Sequence, residues 1–175
     1  MYNLLDHCSK RVLLASAITC SNFTSAFYSY SCHSDKRCFP DGTVMNWSRE
    51  LQELAPNSTK FHAGLITAIR EAQLDRREYS LLKMILVCNP MLTGLCPYDV
   101  TLLQHEKERY AKVLFSYILA KHGVKEGPAI FHKHLSIIDR VNTLTTWQKN
   151  QHILILSMGL YKYRIPLAET MFHSH

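Results

Sequence analysis

Apolar residues recur along this chain at spacings that fit helices rather than strands. From Leu4 to about Tyr28 they fall at Leu5, Val12, Leu13, Ala17, Cys20 and Phe27, on more than one face. A helix that is apolar nearly all round is predicted to be buried and central. The stretch from Ser29 to Asn46 breaks the pattern. Pro40-Asp41-Gly42 within it is a turn tripeptide, because Pro presets φ and Gly accepts φ > 0. With Phe39 before the turn and Val44 after it, the pattern predicts a short β-hairpin. Pro56-Asn57-Ser58 then supplies a cap for a helix with the face Phe61, Leu65, Ile66 and Ile69. Tyr79, Leu82, Met84, Ile85 and Val87 mark the next helix, stopped at Asn89-Pro90.

Pro97-Tyr98-Asp99 opens a long helix with the face Leu103, Tyr110, Val113, Leu114, Tyr117 and Ile118, and Glu106 and Lys107 on the wet side. Lys121-His122-Gly123 ends it, with cations at the negative end of the helix dipole and Gly for the left-handed cap. Gly127-Pro128 starts another helix, Pro being tolerated in a first turn. Its stripe is Phe131, Leu135, Ile138 and Val141, and the pattern resumes through Trp147 and Ile153 to Met158 before Gly159 breaks it. Pro166 to Phe172 reads as a short amphipathic helix. The fold class is all-α with one small β-hairpin, in a single domain over 1–175.

Composition narrows the function classes. The 175 residues carry 20 Lys plus Arg against 14 Asp plus Glu, a formal charge of +6, with 47% hydrophobic residues. That balance suits a packed domain and excludes a disordered chain. Each apolar stretch is interrupted before it reaches a membrane span, so no membrane partner is expected. The basic residues are scattered rather than striped, which argues against a nucleic-acid surface.

The six cysteines contain no Cys-x-x-Cys pair, so neither a zinc finger nor a thioredoxin-type motif is signalled, and free buried thiols are expected. A secreted helical protein is a further reading. Lys10-Arg11 before the run Val12 to Cys20 imitates a signal peptide, and sequons start at Asn22, Asn46 and Asn57. Against it, the run is short and carries Ser and Thr.

No enzyme signature is present: neither Gly-x-Ser-x-Gly, nor a P-loop, nor a dinucleotide fingerprint. Gln104-His105-Glu106 lacks the second His of a zincin. His132 and His134 sit two apart on a helix and point to different faces, so joint metal binding is not expected. A solvated or partly buried role is expected for each such His. Asp6-His7-Cys8 are sequence neighbours that do not face one another on a helix, so no nucleophile pair is expected. No catalytic residue, metal or cofactor is therefore assigned.

The order of the segments resembles the ligand-binding domain of a nuclear hormone receptor of the divergent, nematode-expanded type. Ser9-Lys-Arg-Val-Leu-Leu14 stands where the family signature has an acidic residue, Gln or Lys, two variable residues and Leu-Leu. Phe39-Pro-Asp-Gly42, Glu78 to Pro90, Arg109 to Leu119, Glu126 to Phe131, Leu135 to Asp139 and Pro166 to Phe172 follow in the family's order. The resemblance implies a layered helical bundle, a nuclear location and no enzymatic activity.

It also implies an apolar pocket for a lipophilic small-molecule ligand, with Leu14, Phe27, Phe39 and Leu65 as candidates. A terminal activation helix (Leu167, Glu169, Met171, Phe172) would complete a groove for a coregulator helix, with Lys10 and Arg11 on the groove's side. Either Glu169 or Thr170 holds the clamp position. A dimer face toward another receptor would use Phe131, Leu135, Ile138 and Trp147. No cysteine-rich zinc module stands in these residues and the family's opening helices are missing. That implies no direct DNA binding by this chain, and it keeps a second reading open: a truncated receptor acting only as a dimerisation or interaction module.

Overall fold

The computed structural model describes residues 2–44 and 57–159. A 3-10 turn, Tyr2–Leu4, leads into α1 (His7–Val12), a second 3-10 turn at Leu13–Ala15 and α2 (Ser16–Ser31). Then follow α3 (Ser58–Glu71), α4 (Arg76–Val87) and the long α5 (Pro97–Ser157). The opening segment is thus not one helix from Leu4. Asp6 is extended (ψ 155°) and its carboxylate accepts the Cys8 amide, so α1 starts afresh at that cap.

Helix α2 is the centre of the bundle, packed by α3, α4 and α5. Its buried residues, among them Ile18, Asn22, Phe23, Ser25, Ala26, Phe27 and Ser29, leave little of it wet, as an all-round apolar pattern requires. Phe23 and Phe27 both meet Tyr79 of α4, Phe27 stacked flat at 4.0 Å between centroids. Leu65, Ile66 and Ile69 of α3, Leu82 and Ile85 of α4, and Leu114, Ile118, Ile137, Val141 and Leu144 of α5 complete the same core. A smaller cluster of Leu5, Leu13, Cys88 and Leu103 ties the amino-terminal turns to the end of α4 and the start of α5.

The expected hairpin reduces to a single antiparallel bridge, Cys38 to Val44. Its turn is present: the Gly42 amide donates to the Phe39 carbonyl at 2.9 Å and Gly42 takes φ +85°. One bridge beside a tight turn has no ladder to extend it, and Cys38 is instead held to α2, its amide donating to Ser29 Oγ at 2.9 Å. Asn57 precedes α3 with a helical backbone (φ −85°, ψ −7°) and makes no side-chain cap bond, contrary to expectation.

Helix α5 is broken where Gly123 takes φ +78°, ψ 170°, a region open in practice only to glycine. Its arms, 97–122 and 124–157, approach closely at Gly127, where a Cβ would lie 2.7 Å from Leu119 Cδ2. Leu103, Leu114 and Ile118 of the first arm are buried as expected, but Val113 is 49% exposed. It lies next to Leu114 on the helix but turns off the contact line with α2 and α4.

Among the described residues no disulfide forms. Cys38 and Cys88 are buried, whereas Cys8 and Cys32 are exposed, so the expectation of buried thiols fits only part of the set. No described helix is long and apolar enough to cross a membrane.

Candidate functional site

Polar groups gather where α2, α3 and the second arm of α5 meet. Asn22, nearly fully buried on α2, donates from Nδ2 to Thr145 Oγ1 at 3.2 Å and to Gln148 Oε1 at 2.7 Å. Its Oδ1 accepts from Arg37 Nη2 at 2.7 Å, and Arg37 Nε donates to Ser25 Oγ at 3.1 Å. His62 of α3 is 6% exposed, and neither of its ring nitrogens has a hydrogen-bond partner. Burial, with the Arg37 charge added, pulls the His62 pKa down to about 4. Burial also lowers Arg37 from the usual guanidinium value.

Beside this junction a groove of about 550 Å³ runs between α3 and α5. Phe61 and Trp147 form its aromatic wall, their rings 5.4 Å apart, and Asp139, Asn142, Thr143, Thr146 and Asn150 complete a lining that is mostly apolar by surface.

A second polar cluster fixes the two arms of α5. Asp75 caps α4, its Oδ1 accepting from the Arg77 and Glu78 amides, while Glu78 Oε2 accepts from the Asp75 amide. Lys121 of the first arm donates to Asp75 Oδ2 at 2.8 Å and Glu78 Oε1 at 3.2 Å. From the second arm His134 Nε2 lies 3.2 Å from Glu78 Oε2, a close contact set off the hydrogen-bond axis. His134 is completely buried, so the expected solvated or partly buried role is corrected here. One carboxylate, 1% exposed, clasps both sides of the Gly123 break. Burial raises the Asp75 pKa, but bonds from Lys121, the Glu78 amide and Tyr117 outweigh that and hold it down at about 2.

The residues selected from sequence are distributed unevenly. Phe27 and Leu65 share the main core, while Leu14 and Phe39 are 39% and 41% exposed. None of the four lines the groove. Lys10 and Arg11 stand in the last turn of α1, Lys10 with its ammonium 5.5 Å from the Tyr2 ring. Phe131, Leu135, Ile138 and Trp147 are all half-buried; Phe131, Ile138 and Trp147 pack against the main core, Phe131 on the Phe115 ring and Trp147 on that of Phe61, and Trp147 stands on the opposite side of the helix from Ile138. Leu167, Glu169, Met171 and Phe172 lie outside the described residues. Sequence reasoning named Asn22 only as the start of a sequon, although its side chain is buried, and passed over Arg37 and His62. The available signal was polar residues placed inside apolar helical patterns, and it does not say which of them meet.

Comparison with known proteins follows the same outline. The model of the family described as the ligand-binding domain of nuclear hormone receptor matches residues 1–157. The chain is 32% identical over 165 residues to nuclear hormone receptor family member nhr-153 of Caenorhabditis elegans, covering 93% of this chain and 40% of that protein. It is 30% identical over 161 residues to family member nhr-154 of the same organism, covering 88% and 34%. To family member nhr-209, also of that organism, it is 30% identical over 168 residues, covering 90% and 39%. The chain thus spans about two fifths or less of the length of these curated relatives.

Proposed function

Because this chain belongs to the nuclear hormone receptor ligand-binding domain family, we propose that it serves as the ligand-responsive, partner-binding unit of a transcription regulator. Members of the family are in general non-enzymatic, act in the nucleus, bind coregulators and dimerise. The observation that carries the reading is the family match over residues 1–157, nearly all of the chain. By this reading residues 1–175 form one such unit, act in the nucleus and take a lipophilic ligand among the helices around α2. They touch DNA only through a companion module.

The activation segment Pro166 to Phe172 has few residues with which to dock and is marginal alone. A ligand that favours its docked position shifts that population by its differential affinity for the two states. Docked, Leu167, Met171 and Phe172 complete an apolar groove with Lys10 and Arg11 at its other end. Glu169 then addresses the orphan amides of a coregulator helix.

The test is fluorescence anisotropy of an amphipathic coregulator peptide on the whole chain. Loss of a charge-assisted bond is worth about 1.5 kcal/mol, so Glu169→Ala weakens binding roughly tenfold. Unchanged affinity removes Glu169 from the role, and a loss confined to Thr170→Ala moves the clamp there.

The half-buried stripe Phe131, Leu135 and Ile138, with Trp147 on another side of the helix, supports a second reading, an interaction module that pairs with a related receptor and occupies it unproductively. Light scattering on mixtures with such receptors decides it, a persistent monomer counting against pairing.

A further inference from the structure

The clasp across the Gly123 break is short of one positive charge. Asp75 and Glu78 bring two carboxylates to it, and among the described residues Lys121 is the only Lys or Arg paired with either. Arg77, from the same turn of α4, lies instead over the Tyr117 ring, 5.9 Å from its centroid. Asp75, with a pKa of about 2, is ionised at neutral pH. Glu78 takes the Lys121 ammonium on one oxygen and the Asp75 amide on the other, contacts that favour the ionised acid.

His134 meets this carboxylate with a nitrogen whose state is decided by the ring's other contact. Nδ1 lies 2.8 Å from the Ile130 carbonyl, an oxygen that can only accept, so Nδ1 carries a hydrogen. In a neutral imidazole that leaves Nε2 with a bare lone pair. Yet Nε2 lies 3.2 Å from Glu78 Oε2, and both side chains are shut off from solvent. Two acceptors at that separation in a low-dielectric interior repel. Turning the ring over gives no relief, because it sets ring carbons against both oxygens.

We infer that the folded clasp holds a proton on His134 Nε2, and that releasing this proton loosens the second arm of α5 from α4. The imidazolium brings the set Asp75, Glu78, Lys121 and His134 to zero net charge. Charge attraction also tolerates the off-axis approach of Nε2, which a neutral hydrogen bond does not. The other packed helices offer no rival cation. Helix α2 contains no Asp, Glu, Lys, Arg or His. On α3, Arg70 pairs with Asp35, His62 stands beside Arg37, and Lys60 and Glu71 are exposed.

The latch has a direction in pH. The unfolded chain gives up a histidine proton near the ordinary value of about 6.5. The clasp's contribution is therefore complete below that pH and declines as pH rises above it. The bond to Asp75 raises Tyr117 from its ordinary value; burial lowers Lys121, but its bonds to Asp75 and Glu78 outweigh that. Both therefore titrate above this window. The device goes beyond the receptor reading, and it acts on the arm that carries Phe131, Leu135 and Ile138.

The test is nitrogen-15 NMR of the whole chain labelled at histidine, each ring assigned through its own backbone, at about pH 7.5, one unit above the ordinary histidine value. His134 is expected to show two protonated ring nitrogens, and the exposed His105 and His132 one each. Glu78→Gln is expected to strip the second proton from His134 at the same pH. A bare Nε2 on His134 in wild type overturns the inference, as does a second proton that survives Glu78→Gln.

Urea melts test the latch itself. The wild-type midpoint is expected to fall between about pH 6.5 and pH 8.5, and His134→Gln to flatten that slope. A wild-type midpoint that stays level, or a slope unchanged in His134→Gln, overturns it. Circular dichroism confirms that each variant is folded, and the wild-type spectrum and pH profile decide the matter if one is not. Neither measurement uses a ligand or a coregulator peptide, so failure here leaves the receptor reading standing.

Discussion

Asp75 shows how much one side chain can hold. It caps α4 through two backbone amides and receives Tyr117 and Lys121 from the first arm of α5. Asp75→Ala is therefore expected to cost about 1–2 kcal/mol, the upper range for a helix cap, read as a lower urea midpoint with unchanged slope. The pair Asp75-x-x-Glu78 before an apolar run is a capping-box pattern visible in the sequence, whereas the arrival of Lys121 and Tyr117 is not.

His62 gives a pH test at the same scale. Its folded pKa of about 4 lies below the unfolded value of about 6.5, so the unfolded chain binds the extra proton. Stability from keeping it neutral is complete above pH 6.5 and is lost as pH falls toward 4, by roughly 3 kcal/mol at most. Thermal melts of wild type should fall across that window more steeply than those of His62→Leu. Parallel profiles would contradict the buried, neutral assignment. That a histidine two residues short of Gly64 would be the buried one was not legible, because burial depends on what α2 and α5 place over it.

At the scale of elements, periodicity carried most of the information. The faces of α3 and α4 and the break at Gly123 were legible because each depends on residues within a turn or two. The hairpin was not, since strand formation needs a partner ladder, and here Cys38 is claimed by Ser29 and Ser25 of α2.

Gly123→Ala isolates the break. Nothing lies within 4 Å of the added Cβ, so the penalty is the backbone alone, about 2 kcal/mol. Glu78→Gln tests the clasp that sets the arms: it leaves Lys121 and His134 without their buried carboxylate and should cost about 3 kcal/mol. Urea melts check both, and a neutral Glu78→Gln would mean the arms are held by apolar packing.

For the molecule as a whole, the half-buried line on α5 is where a partner would be felt. Leu135→Glu places a charge on that line while sparing the core formed by Ile137, Val141 and Leu144. If the line is a pairing surface, light scattering should show the pair with a related receptor lost while the thermal midpoint hardly moves. A large fall in midpoint would instead make Leu135 part of the core.

The sequence by itself determined the helical class, the helix order and the family resemblance, because helix periodicity and caps are set by neighbours a few residues apart. Only the tertiary structure decided which polar groups are buried and which remain unpaired. Asn22 and Gln148 are 126 residues apart in the chain, and Glu78 joins residues on both sides of a break in another helix. Such pairings depend on how whole helices stack, and the stacking leaves both ring nitrogens of His62 without a hydrogen-bond partner although nothing in its own segment marks it out.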